Sequence, residues 1–133
     1  MILLKNCFLS TTQEIDVIPI HSEVKYALRE ANLKGGLLTV WIPSEGAGVA
    51  VLEPSADTLD GLKKQCQQGM VPVASFTLPF QEGEVVLAPK RQLCIVDFSR
   101  TGKRREFVLH VMGESAETSR GTAPRPAQPQ RRK

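Results

Sequence analysis

Four carboxylates, two basic runs and two histidines are the residues of this 133-residue chain whose types and spacing suit acid/base or anion chemistry. Glu45 and Glu53 flank one short apolar segment and are the candidate acid/base pair, a role that two carboxylates divide only where their surroundings separate their pKa values. Ser44, Gly46 and Gly48 stand around Glu45 as a candidate ligand loop, since glycine lets a backbone turn sharply or approach a ligand closely. Asp57 and Asp97 extend the candidate ligand-binding set, and Lys90 with Arg91 would neutralise a phosphate. Neither His21 nor His110 has a Cys, His or carboxylate partner at ligand spacing. Cys7, Cys66 and Cys94 are odd in number, far apart and form no CxxC pair, so they read as free thiols. No metal site and no cofactor are therefore expected. Gly46-Ala47-Gly48 lacks the lysine of a phosphate loop, and Gly35-Gly36 precedes a strand where a dinucleotide motif requires a helix.

The elements that must position these residues are mostly strands. Leu37 to Ile42 and Val49 to Leu52 are apolar, partly β-branched runs joined by Pro43 to Gly48, and they read as central strands of a sheet with Ser44 and Glu45 at its rim. Ile2 to Ser10 and Glu14 to Ile18 read as strands joined by a hairpin turn at Thr11-Thr12-Gln13. Ser22 to Asn32 places Val24, Ala27, Leu28 and Ala31 on one helical face, with Gly35-Gly36 as its stop signal. Asp57 is the expected N-cap of a second helix running to Gln67. Pro72 and Pro79 confine the following strand to Val73 to Leu78 or to a sheet edge. Glu84 to Leu87, Gln92 to Phe98 and Arg105 to Met112 complete seven or eight strands, the last with Phe107, Leu109 and Val111 on one face. The pattern predicts an α+β domain over residues 1–114: a mostly antiparallel sheet or sandwich with two short helices.

Composition agrees. Hydrophobic residues make up 41 % and charged residues 23 %, and no apolar run approaches the length of a membrane helix. The N-terminus lacks a basic leader and a long apolar region, so no signal peptide is expected and the cytoplasm is the default location. The formal charge of +3 is uneven: residues 115–133 carry a net +4 with three prolines, against −1 for residues 1–114. A segment with no aliphatic side chain larger than alanine cannot bury surface, so 115–133 reads as a disordered basic tail. Nucleic-acid binding is weakly supported. Only seven aromatics occur, and none interleaves with Lys103-Arg104-Arg105.

The segment Ile42-Pro43-Ser44-Glu45-Gly46-Ala47-Gly48-Val49, followed by Leu52-Glu53, resembles a signature of the YjbQ-like family, which reads P-H-T-[TS]-A-G-V and then I-N-E. Gly83, Leu87, Ala88 and Gln92 to Phe98 fall where that family has its G-x-L-x-L-G-T-W-Q strand, and Arg104-Arg105 through Gly113-Glu114 fall on its R-R-x-V ending. The resemblance covers roughly residues 3–114. It implies the family's α+β fold, a trimeric assembly and a link to weak thiamine-phosphate synthase activity. Ser44 stands where the family histidine would be, and Pro89-Lys90-Arg91 replace Thr-Trp-Gln. An unactivated serine hydroxyl neither exchanges protons near neutral pH nor ligates metal well. The expected protein is thus a YjbQ-like homo-oligomer acting as a non-catalytic or small-ligand-binding scaffold. The alternatives are a residual enzyme on a small phosphorylated metabolite, with Glu45 and Glu53 as acid/base groups, and a nucleic-acid-associated protein acting through its tail.

Overall fold

The computed structural model describes residues 2–115. The expected basic tail, apart from Ser115, lies outside the described residues. In chain order the elements are β1 (Ile2–Ser10), β2 (Asp16–Pro19), α1 (His21–Ala31), β3 (Leu33–Trp41), β4 (Ala47–Leu52), α2 (Ala56–Gln67), β5 (Ser75–Gln81), β6 (Glu84–Val85), β7 (Gln92–Asp97) and β8 (Arg104–Ser115). They form two sheets, one five-stranded in the order β1-β8-β3-β5-β6 and one three-stranded in the order β2-β7-β4. Every strand pairing is antiparallel. The α+β, mostly antiparallel architecture expected from the sequence is the one observed.

The core forms where the inner faces of both sheets meet α1. Alternation along β8 sends Phe107, Leu109 and Val111 inward, where they join Leu38 and Val40 of β3, Leu93 and Ile95 of β7, and Val24, Ala27 and Leu28 of α1. Fully burying each large aliphatic or aromatic side chain stabilises the fold by about 1.5–3 kcal/mol. Only α1 contributes to this core: α2 has no buried residue.

Several local expectations are corrected. The segments around 37–42 and 49–52 are not partners in one sheet. β3 sits in the middle of the larger sheet, while β4 is an edge of the smaller one. β1 and β2 form no hairpin either, because β1 pairs with β8 and β2 with β7. α1 ends at Asn32, which takes the left-handed C-cap conformation (φ 53°) and donates its N–H to the Leu28 carbonyl. Gly35 and Gly36 lie inside β3, at a register shift opposite Gly113 and Glu114 of β8. A Cβ on Gly113 would fall 2.0 Å from the Gly35 carbonyl oxygen, so the glycines serve strand contact and not helix termination. Ser55, not Asp57, caps α2 by accepting from the Thr58 N–H at 3.3 Å.

β5 runs through Pro79. In an antiparallel ladder a residue's N–H and C=O point to the same side, and the Pro79 carbonyl accepts from Val86 N on the β6 side. The missing N–H therefore faces away from β3, and no β3 ladder bond is lost.

The outer face of the larger sheet mixes exposed apolar side chains with polar ones, among them the Asn6–Glu106 and Thr39–Thr77 hydrogen-bonded pairs. Ile2, Leu4 and Phe8 of β1, Leu37 and Trp41 of β3 and Met112 of β8 share the outward phase, each between 43 % and 65 % exposed.

Candidate functional site

Asp97 ends β7 and Arg105 is the second residue of β8, so the turn between the two strands brings their side chains together. Arg105 Nε donates to Asp97 Oδ2 at 2.9 Å, and the two side chains are 1 % and 0 % exposed. The other carboxylate oxygen is held by the turn itself: Ser99 N and Ser99 Oγ donate to Asp97 Oδ1 at 2.9 and 2.6 Å. Arg100 and Gly102, both at positive φ, let the chain reverse within so few residues.

The segment before β4 closes the cluster. Ala47 pairs with Asp97, and Phe98 N donates to the Gly46 carbonyl, which brings residues 44–46 over the guanidinium. Arg105 Nη1 donates to Ser44 Oγ at 2.9 Å and to the Glu45 carbonyl at 2.6 Å. Gly46 adopts φ +88°, and a Cβ there would stand 2.7 Å from Arg105 Nη2 and 2.8 Å from Ser99 Cβ. Nη2 is buried without a hydrogen-bond partner, and it is the one such side-chain atom among the described residues.

Burial by itself would raise the Asp97 pKa, but the hydrogen bonds from Arg105 and Ser99 outweigh it and hold the carboxyl down to about 2. Asp97 is therefore ionised throughout the neutral range. It balances the buried Arg105 and has no proton to exchange there.

The other sequence-derived candidates separate into groups. Ser44, Gly46 and Asp97 meet at Arg105. Glu45 contributes its backbone carbonyl, while its residue is exposed. Glu53, also exposed, lies beyond the far end of β4, so the six-residue strand separates the two glutamates by on the order of 20 Å. Gly48 sits inside β4 against the 72–73 segment, where a Cβ would meet the Val73 carbonyl oxygen at 2.6 Å. The Leu52–Gln92 pair puts Glu53 and Arg91 at the same end of the small sheet, with Lys90 in the preceding turn and Asp57 in the first turn of α2. The run 103–105 splits: Arg105 turns inward, whereas Arg104 lies over the Phe8 ring at 4.1 Å. Among the described residues no three His, Cys, Asp or Glu side chains are placed to hold a metal.

Arg105 is the residue that motif reading passes over, because a basic run looks solvated. Its parity is the missed signal. It is in phase with Phe107, Leu109 and Val111, and in a half-buried strand that phase is the inward one.

The chain matches no family model and no curated protein. Solved structures do match its fold. A YbjQ-like protein of unknown function from Sulfolobus solfataricus superposes with a TM-score of 0.79 at 12 % identity, over 86 % of this chain and 99 % of the other. A hypothetical protein from Aeropyrum pernix gives 0.73 at 18 % identity, over 84 % and 99 %. An uncharacterised conserved protein of the YjbQ family from Clostridium acetobutylicum gives 0.72 at 16 % identity, over 80 % and 99 %. In its fold the chain is similar to YjbQ-like proteins.

Proposed function

We propose that this chain is a divergent YjbQ-like protein that works in the cytoplasm as a non-catalytic, ligand-binding scaffold and assembles as a homo-oligomer. The observation that carries the reading is the occupation of Asp97. At the loop where the related family places its histidine, Asp97, the one buried carboxylate among the described residues, holds Arg105 and the Ser99 turn with both oxygens. A general base needs a pKa near the working pH, whereas this carboxyl is held at about 2. Ser44, which takes the histidine's place, accepts from Arg105.

The unpartnered Nη2 of Arg105 leaves one charged donor for a small acceptor beneath residues 44–46, and this supports a binding role for the Ser44 and Gly46 loop, with Asp97 holding the guanidinium in place. The exposed Ile2, Leu4, Phe8, Leu37, Trp41 and Met112 on the outer side of the larger sheet support self-association, since exposed apolar surface marks interaction sites; the trimer is the assembly that the resemblance favours. No helix among the described residues is long and apolar enough to cross a membrane.

A second reading has one observation in its favour. Glu53 and Arg91 share one end of the small sheet, a start for a phosphate-handling enzyme with Lys90. The test for both is an assay of thiamine-phosphate formation on the purified protein beside Glu53→Gln and Glu45→Gln, with metal analysis and sedimentation equilibrium. The scaffold reading expects an oligomer without stoichiometric metal and no turnover above buffer. Turnover abolished by either substitution would replace it with the enzyme reading.

A further inference from the structure

A cleft with an apolar floor and an unbalanced charge lies away from the Arg105 loop. His21, Val24, Lys25 and Leu28 recur at spacings of three and four along α1 and therefore form a single stripe. This stripe faces β6, the 86–91 connection and the start of β7 across a cavity of about 230 Å³. Val24, Leu28 and Leu93 are buried at its base, and Val85 and Leu87 are half-buried walls.

The rim is cationic. Lys25 and Arg91 stand against one acidic side chain, Glu84, with His21 beside them. Lys25 Nζ pairs with Glu84 Oε2 at 3.1 Å, which balances those two charges. Among the described residues the Arg91 guanidinium has no ion pair or side-chain hydrogen bond, so the mouth keeps a net positive charge. α1 starts at the same rim, and Glu23 in its first turn offsets the partial positive charge of the helix end, so the excess charge of the mouth is that of Arg91.

We infer that this cleft binds a small organic anion with an apolar body, a short-chain carboxylate or phosphate monoester, whose head group pairs with Arg91 and whose chain lies on Val24, Leu28 and Leu87. The guanidinium fork suits either head group. A volume of about 230 Å³ lies below the roughly 300–1,000 Å³ of drug-sized pockets, which suits a small metabolite. The occupant is retained and released unchanged, a point that rests on the scaffold reading above.

The test is a proton–nitrogen NMR titration of the full chain with hexanoate and with butyl phosphate, beside inorganic phosphate and hexylammonium, while the proton spectrum of each probe reports any chemical change. Expected are saturable shifts at Val24, Leu28, Val85 and Arg91 with both amphiphilic anions, much weaker ones with inorganic phosphate, and none with hexylammonium. Arg91→Gln changes an exposed side chain, so the fold is kept, and affinity should fall roughly tenfold or more. Absence of saturation, equal binding of the cation, or undiminished affinity in Arg91→Gln would overturn the site. Conversion of a bound probe would keep the site and remove the scaffold reading.

Discussion

Arg105 and Asp97 are eight residues apart in sequence and form an ion pair at 2.9 Å with both side chains shielded from water. Taking such a pair out of water is costly, so its presence argues for a positional role: it fixes where the 98–103 turn and residues 44–46 meet. Asp97→Asn would leave the guanidinium buried without its counter-charge. The expected loss is about 3–5 kcal/mol in urea unfolding. Asp97→Asn combined with Arg105→Met should recover part of that loss, and a double variant weaker than the single would contradict the pairing.

Two glycines should respond in opposite directions to alanine. At Gly46, φ +88° and the contact with Arg105 make a side chain strained, and Gly46→Ala should cost about 1–3 kcal/mol. Gly61 lies within α2 with open space around its Cα, so Gly61→Ala should stabilise by about 1 kcal/mol. Thermal or urea unfolding of both variants checks the contrast.

The alternation of Phe107, Leu109 and Val111 and the stripe of Val24, Ala27 and Leu28 made the core faces legible, because burial imposes a period on the residues themselves. Sheet membership was not legible. β1 pairs with β8 across about a hundred residues, and nothing local in Ile2 to Ser10 favours that partner over the nearer β2. Gly35-Gly36 looked like a helix stop because its actual constraint, the backbone of Gly113, is far away in sequence. At the site, Ser44, Gly46 and Asp97 were visible as residue types. Arg105 was concealed by its basic neighbours, although its strand phase marks it as inward.

The three thiols should differ in reactivity. Burial pushes Cys94 up to about 11, while Cys7 and Cys66 are half-buried and raised less, also by burial. Since the thiolate is the reactive form, a maleimide applied to native protein at mild alkaline pH should label Cys7 and Cys66 and spare Cys94 until the chain is unfolded. Peptide mapping would show this. Early labelling of Cys94 would mean that β7 opens readily.

Charge on the outer face of the larger sheet tests the assembly. Leu4 and Trp41 are 61 % and 48 % exposed on the outer side of the larger sheet, so Leu4→Glu with Trp41→Glu should leave the fold intact by circular dichroism. Sedimentation should show the wild type as an oligomer and the variant as a monomer. A monomeric wild type at micromolar concentration would remove the assembly from the account.

The most direct measurement is the pH titration of the Asp97 side-chain carboxyl carbon by NMR. The Arg105 and Ser99 bonds lower its pKa from 3.8 to about 2 in the folded protein. The pair's contribution to stability is therefore complete above the unfolded value near 3.8 and is lost as pH falls toward 2, a change on the order of 2 kcal/mol. The account predicts a carbon shift that stays flat through the neutral range and moves only at the acid end, together with this loss of stability. A midpoint near 6 or 7 would mean that Asp97 exchanges a proton at working pH, and the non-catalytic reading of the site would fail.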